Sequence, residues 1–144
     1  RMLQVLEAAF GNRLDHKLLP SMEYLDALDN GLVHVHTGGT AAGHIDRSTL
    51  QIMARGRCLI QPVLAGYIGG EIPEPFYHYV PCRHDLTDLV SRVRWCQDNQ
   101  DKALEIGRNA RELFMRNCAP LAVWQRVQSV VQTFCEHGGY PVEM

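Results

Sequence analysis

Between Gly56 and Gly66 lies a short apolar run, Cys58–Leu64, of the kind that a strand buried on both faces of a parallel sheet requires. Such a strand needs covering layers above and below, and the flanking segments read as strands and helices able to supply them. Upstream, Leu32–Thr37 alternates apolar residues with His34 and His36, as a strand with one polar edge or face does. Gly38-Gly39-Thr40-Ala41-Ala42-Gly43 follows as a loop of small residues. Asp46 or Ser48 then caps a helix whose apolar positions, Leu50, Ile52, Met53 and Ala54, face the sheet, and Gly56 ends it. Downstream, Ala65–Pro75 holds three glycines and two prolines and is loop, while Tyr77–Cys82 is a further short strand.

Helices flank this core in the sequence. Leu3–Phe10 reads as a short helix closed by Gly11-Asn12, followed by a loop to Pro20. A second helix runs from Ser21 through Asp29, with Glu23 and Asp26 near its positive end and Asn30-Gly31 as its stop. Three helices close the chain. Asp85 is the expected N-cap of the first, with Leu86, Leu89, Val90, Val93 and Cys96 on one face. Ala103, Ile106, Ala110, Leu113 and Phe114 stripe the second. Pro120 opens the third, whose stripe is Leu121, Trp124, Val127, Val131 and Phe134, with Gly138-Gly139 as its end. The order predicts an α/β fold: a short parallel sheet flanked by helices, with a helical C-terminal tail over about 84–137.

A length of 144 residues is read as one domain covering 1–144. Three visible strands are few for a complete sheet, and the chain opens at Arg1, so the reading is of a fragment. Its 46% hydrophobic and 21% charged content excludes wholesale disorder. A net charge of -2 gives no basic field, so nucleic acid is not an expected partner. No apolar run approaches the roughly 20 residues that span a bilayer. Cys58, Cys82, Cys96, Cys118 and Cys135 form no CxxC pair and read mostly as small buried hydrophobes. They leave the redox compartment open.

The loop from Gly38 to Arg47 is the strongest local feature. Small residues after a strand let backbone N–H groups approach a ligand, and the next helix N-terminus adds positive partial charge, which suits phosphate. Arg47 is a cation where the helix dipole disfavours one by roughly 0.3–1 kcal/mol. It either pairs with neighbouring Asp46 or forks two bonds to a bound phosphate. The glycines match neither GxGxxG nor the P-loop pattern. His34 and His36 share a strand face and lie near His44 and Asp46, a set of metal-ligating types. The preferred reading is polar side chains near the ligand-facing end, and no metal is assigned. In Phe76-Tyr77-His78-Tyr79-Val80-Pro81 the aromatics fill core or meet a base or sugar ring, and His78 is of a type to hydrogen-bond a ligand. Glu71 and Glu74 are read as solvated loop residues, and no general base is evident.

The stretch from Gly39 through Val131 resembles the C-terminal portion of the family 90 glycosyltransferases, which include the Rumi and KDEL-containing protein O-glucosyltransferases and fungal capsule-associated xylosyltransferases. The likeness runs through Gly39-Thr40-Ala41-Ala42, Arg47, Cys58–Gln61 and His78-Tyr79-Val80-Pro81. It continues through Asp85-Leu86-Thr87-Asp88-Leu89, Trp95, Asp101, Ala103, Ile106 and Ala110. The resemblance implies a GT-B enzyme built of two Rossmann-like halves, of which this chain is the sugar-nucleotide-binding C-terminal one. On that basis Gly39, Thr40, Ala41, Ala42 and Gly43 offer the donor contacts of the loop and Arg47 neutralises the diphosphate, with His36 and His78 as further donor-pocket residues.

The same resemblance implies a UDP-sugar as donor substrate and no separate cofactor. It also implies a protein or glycan hydroxyl as acceptor, with the catalytic carboxylate in an N-terminal domain outside this chain. The isolated chain is then expected to be inactive. An endoplasmic reticulum or Golgi lumen is the compartment that goes with the family. Gly38 stands where the family usually has Asp, and the Thr40–Arg47 interval is longer than its pattern. Those departures keep open a second reading, a non-catalytic nucleotide- or partner-binding module derived from such a domain.

Overall fold

The computed structural model describes residues 2–11, 21–37 and 43–136. Helices α1 (Met2–Phe10) and α2 (Ser21–Asn30) precede strand β1 (Val33–Val35). Helix α3 (Arg47–Ala54) leads to β2 (Cys58–Pro62), and a long loop leads to β3 (Val80–Cys82). Helices α4 (Leu89–Asp98), α5 (Gln100–Cys118) and α6 (Pro120–Glu136) follow. The sheet order is β1-β2-β3, and both pairings are parallel. Val35 stands level with Ile60, and Ile60 with Val80. The fold is therefore α/β, a parallel sheet between helices, as the residue pattern predicts.

Central β2 shows why. Every residue of Cys58–Pro62 is buried, so no face of the strand is left to water. Alternation divides its side chains between two cores. Cys58 and Ile60 pack with Leu6 and Phe10 of α1, Leu89 and Cys96 of α4, and Ala103 and Ile106 of α5. Leu59 packs the other way, with Leu28 of α2, Ile52 and Met53 of α3, and Ala110 and Leu113 of α5. Helix α5 thus serves both cores with successive turns of one stripe. The buried thiols of Cys58 and Cys96 hydrogen-bond to each other, which with burial pushes the Cys58 thiol up.

The α5 helix reaches the sheet because Gly107 has no side chain. A Cβ there would stand 2.3 Å from the Gly56 carbonyl oxygen. Gly56 itself has φ +67°, the left-handed turn that ends α3.

Several sequence expectations are corrected by this packing. Asp85 does not cap α4: its Oδ1 accepts from the Thr87 backbone and hydroxyl, and Leu86 takes φ +62° in the turn before the helix. Asp88 occupies the cap position, accepts from the Arg83 N–H and pairs with Arg92 four residues on. The third strand begins at Val80 rather than Tyr77, because Phe76 has φ +59° and the chain turns there. Glu71 is not merely solvated. Arg116 forks two bonds to it at 2.9 and 2.7 Å, and Asn117 adds a third at 2.6 Å, tying the long loop to the end of α5. Helix α6 carries the expected stripe but buries none of it. The expected loop from Gly11-Asn12 to Pro20, apart from Gly11 itself, and the Gly138-Gly139 stop lie outside the described residues.

Candidate functional site

Ligands of open parallel sheets bind at the carboxyl ends of the strands, and the sequence-predicted loop leaves this sheet at that edge. His36 continues the ladder beyond β1, donating its backbone N–H to the Ile60 carbonyl at 2.9 Å. Gly39, Thr40, Ala41 and Ala42 lie outside the described residues. The chain is described again at Gly43, which has φ +84°. A Cβ on Gly43 would meet the Val63 carbonyl oxygen at 2.3 Å, and the Gly43 carbonyl accepts from the Ala65 N–H at 2.8 Å. Glycine is required there because the turn lies flat against the backbone leaving β2.

From Gly43 to α3 the chain is fastened residue by residue. Gln61, fully buried, donates Nε2–H to the His44 carbonyl at 2.9 Å. The buried Thr49 hydroxyl lies 2.9 Å from Gln61 Oε1 and 3.1 Å from Asp46 Oδ1, bridging strand and helix cap. Asp46 caps α3 by accepting the Thr49 N–H at 3.0 Å. Its other oxygen, Oδ2, lies 2.8 Å from His36 Nε2. Burial alone would raise the Asp46 pKa, but the Thr49 N–H and the His36 ring outweigh it and hold the carboxyl below its usual range.

Asp46 is therefore engaged away from Arg47. Among the described residues Arg47 has no ion-pair partner, and it is exposed in the first turn of α3. With Tyr24, Leu25, Ser48 and Gln51 it lines a cleft of about 260 Å³ between α2 and α3. An unpaired guanidinium at a positive helix end is electrostatically unfavourable until an anion arrives. The alternative of an Arg47–Asp46 pair does not form.

The two histidines nominated for the pocket part company. His36 faces the cap of α3. His78 precedes the amino end of β3, and its Nδ1 accepts the Glu74 N–H at 2.9 Å. Since Val80 is already level with Ile60, the register sets His78 toward the opposite end of the sheet from His36. Burial lowers the His78 pKa, with Glu74 opposing and Arg116 assisting. His34 turns to α2, its Nε2 lying 3.0 Å from the Leu28 carbonyl, and burial lowers its pKa also. Among the described residues no three metal-ligating side chains gather into one site. The Phe76 ring meets Trp95 edge-on and Arg92 over its face, whereas Tyr79 is wholly buried and its hydroxyl oxygen accepts the Leu64 N–H.

Sequence reasoning missed Gln61 and Thr49, which fix the approach to the site. A polar amide inside an otherwise apolar run was the available signal.

The model of the family described as Glycosyl transferase family 90 matches residues 71–141. Residues 71–141 belong to glycosyl transferase family 90. Relatives of the chain extend the likeness. It is 34% identical over 70 residues to uncharacterized protein 027R of Frog virus 3 (isolate Goorha), covering 46% of this chain and 7% of that protein. It is 31% identical over 58 residues to uncharacterized protein 179R of Invertebrate iridescent virus 6, covering 40% of this chain and 5% of that one. To human protein O-glucosyltransferase 3 it is 29% identical over 63 residues, covering 44% of this chain and 12% of that enzyme. The aligned part of the chain thus spans a small part of each of these relatives, from 5% to 12% of their length. No solved structure is a significant match. The matched segment holds the Glu71 clamp, His78, β3 and α4 to α6; Arg47 precedes it in the chain.

Proposed function

We propose that this chain is the donor-binding half of a GT-B glycosyltransferase, taking a hexose or pentose from a UDP-sugar to a protein or glycan hydroxyl. The observation that carries the proposal is the state of Arg47. It stands unpaired among the described residues at the N-terminus of α3, while Asp46 beside it is turned into the cap and toward His36. A cation without an ion-pair partner among the described residues thus follows, in the sequence, a run of small residues that leaves the carboxyl end of β1, which supports an anion site there. Membership of residues 71–141 in family 90, and the likeness to a protein O-glucosyltransferase, supply the reaction class.

In this reading Gly39, Thr40, Ala41, Ala42 and Gly43 form the cradle of the pyrophosphate and Arg47 its counter-charge. Breaking the sugar–phosphate bond leaves negative charge on the departing diphosphate. A guanidinium held there gains interaction energy as the transition state forms, which lowers the barrier. Asp46, kept ionised but occupied by two donors, shapes the turn without repelling the phosphate at close range. His36 acts through Asp46. His78 positions the loop after β2.

The cleft at Arg47, about 260 Å³, falls short of the roughly 300–1,000 Å³ of complete ligand sites. A second half supplying the facing wall and the general base accounts for the difference. Calorimetric titration of the chain with UDP tests the reading. UDP should bind, and Arg47→Ala should weaken it about 10- to 100-fold, the worth of a charge-assisted phosphate contact. Equal affinity in the variant overturns the assignment of Arg47. Failure of the folded chain to bind UDP at all favours a partner-binding module.

A further inference from the structure

Helices α2 and α3 are joined at one end and parted at the other. Both run back from the carboxyl edge of the sheet to feed β1 and β2. At their C-terminal ends Arg55 pairs with the Asp29 carboxylate, and Arg57 donates to the Asp29 carbonyl. Toward their N-terminal ends the cleft of about 260 Å³ opens, lined by Tyr24, Leu25, Arg47, Ser48 and Gln51. Tyr24 and Leu25 are half-buried and pack against the core that holds Leu28 and Met53, so the Tyr24 ring is a fixed wall. Arg47 and Gln51 fall on one side of α3, with Gln51 one turn, about 6 Å, further along the axis. The polar atoms here are uncommitted. Asp46 takes the Thr49 and Leu50 N–H groups, but among the described residues those of Arg47 and Ser48 have no partner. The Tyr24 and Ser48 hydroxyls and the Gln51 amide likewise make no hydrogen bond to a described residue.

We propose that this cleft receives the nucleoside of the donor, a pyrimidine whose ring lies on Tyr24 and whose polar edge meets Gln51. The proposal rests on the donor-site reading and adds a base subsite to it. The order of chemistry along α3 selects the occupant. Positive charge and free amides at Arg47 and Ser48 suit phosphate. One turn further in, the lining becomes an aromatic ring, a leucine and a carboxamide. An aromatic ring takes the flat face of a base. A carboxamide sets one donor beside one acceptor, the complement of the adjacent N–H and carbonyl on a uracil edge. A free phosphate or a peptide carboxylate would satisfy Arg47 alone and leave the Tyr24 face and the Gln51 amide without a partner. Size agrees. A space below the roughly 300–1,000 Å³ of complete ligand pockets suits a one-ring base better than a two-ring base.

Calorimetric titrations of the 144-residue chain with UDP, GDP and pyrophosphate test the proposal. UDP should bind at least about tenfold more tightly than GDP, which carries the same diphosphate on a two-ring base. Tyr24→Leu and Gln51→Leu should each weaken UDP about 5- to 20-fold and leave pyrophosphate unchanged. Leucine suits a helix at both positions, and retained pyrophosphate affinity reports an intact α3 end. The two variants lie on different helices, so either alone decides. UDP affinity unaltered in both, while Arg47→Ala weakens it, overturns the base subsite and leaves the diphosphate site standing. GDP bound as tightly as UDP overturns the subsite too. Equal losses of UDP and pyrophosphate in both variants do the same, since the side chains then act on the phosphate end. A folded parent that binds none of the three overturns the donor reading and the subsite with it.

Discussion

His36 Nε2 and Asp46 Oδ2 lie 2.8 Å apart, so the residue leaving β1 and the residue opening α3 close the loop between them from its two ends. Asp46 does this while capping the helix with its other oxygen. Replacing Asp46 by Ala removes both functions. The expected loss is about 1–2 kcal/mol from the cap, read as a lower urea midpoint with an unchanged slope. Asp46→Asn keeps a capping oxygen and should recover most of that stability. An Asn variant as unstable as the Ala variant would show that charge on Asp46, not its cap, holds the turn.

Arg47→Lys separates charge from geometry. Lysine keeps the positive charge but not the planar fork. The affinity for UDP should fall between those of the parent and Arg47→Ala, with thermal stability unchanged because the Arg47 side chain is exposed and unpaired among the described residues. A destabilised Arg47→Lys chain would contradict the geometry.

Gly107→Ala should be among the most damaging small substitutions. Its Cβ would stand 2.3 Å from the Gly56 carbonyl oxygen, and 2.8 Å from the carbonyl carbon. The neighbour is backbone in a turn, so α5 must move off the sheet, at a cost of about 2–3 kcal/mol. Thermal denaturation checks this, and a variant within 0.5 °C of the parent, about an order of magnitude below the expected shift, would refute the contact.

Mild acid should destabilise the chain through its buried imidazoles. Burial lowers the pKa of both His34 and His78, so both are held neutral in the fold while the unfolded chain takes up protons near pH 6.5. The stability they contribute is complete above about pH 6.5 and is lost as pH falls through their lowered folded values. Urea midpoints measured between pH 7.5 and 5 should decline, and His34→Gln should flatten the slope. An unchanged slope in that variant removes His34 from the account.

The Glu71 clamp should hold the long loop well into acid. Two bonds from Arg116 and one from Asn117 lower the Glu71 carboxyl to about 2, against a usual value near 4.3. Its contribution is present above the usual value and is lost only as pH falls through about 2. Glu71→Gln should free the segment 65–75, seen as faster amide exchange there while exchange in β2 stays slow. Equal protection of the loop in the variant would show that other contacts hold it.

The sequence by itself determined which segments are strands and helices, because burial on both faces leaves an unbroken apolar run at Cys58–Ile60 and helix faces leave a stripe every three or four residues. It also marked the turn ending at Gly43 and narrowed the cap of α3 to Asp46 or Ser48. Tertiary structure alone decided what those residues touch. Gln61 sits unremarked in a run that reads as apolar, and only the fold brings Thr49 and the His44 carbonyl to its amide. Glu71 looked solvated until α5 returned Arg116 from 45 positions away. His36 and His78, alike as polar residues beside short strands, were sent toward opposite ends of the sheet by its parallel register. The stripe of α6 reads like any core helix, and only the packing shows that its apolar side faces out. Periodicity is a property of neighbours along the chain, whereas a partner across space is fixed by chain closure, which no local pattern encodes.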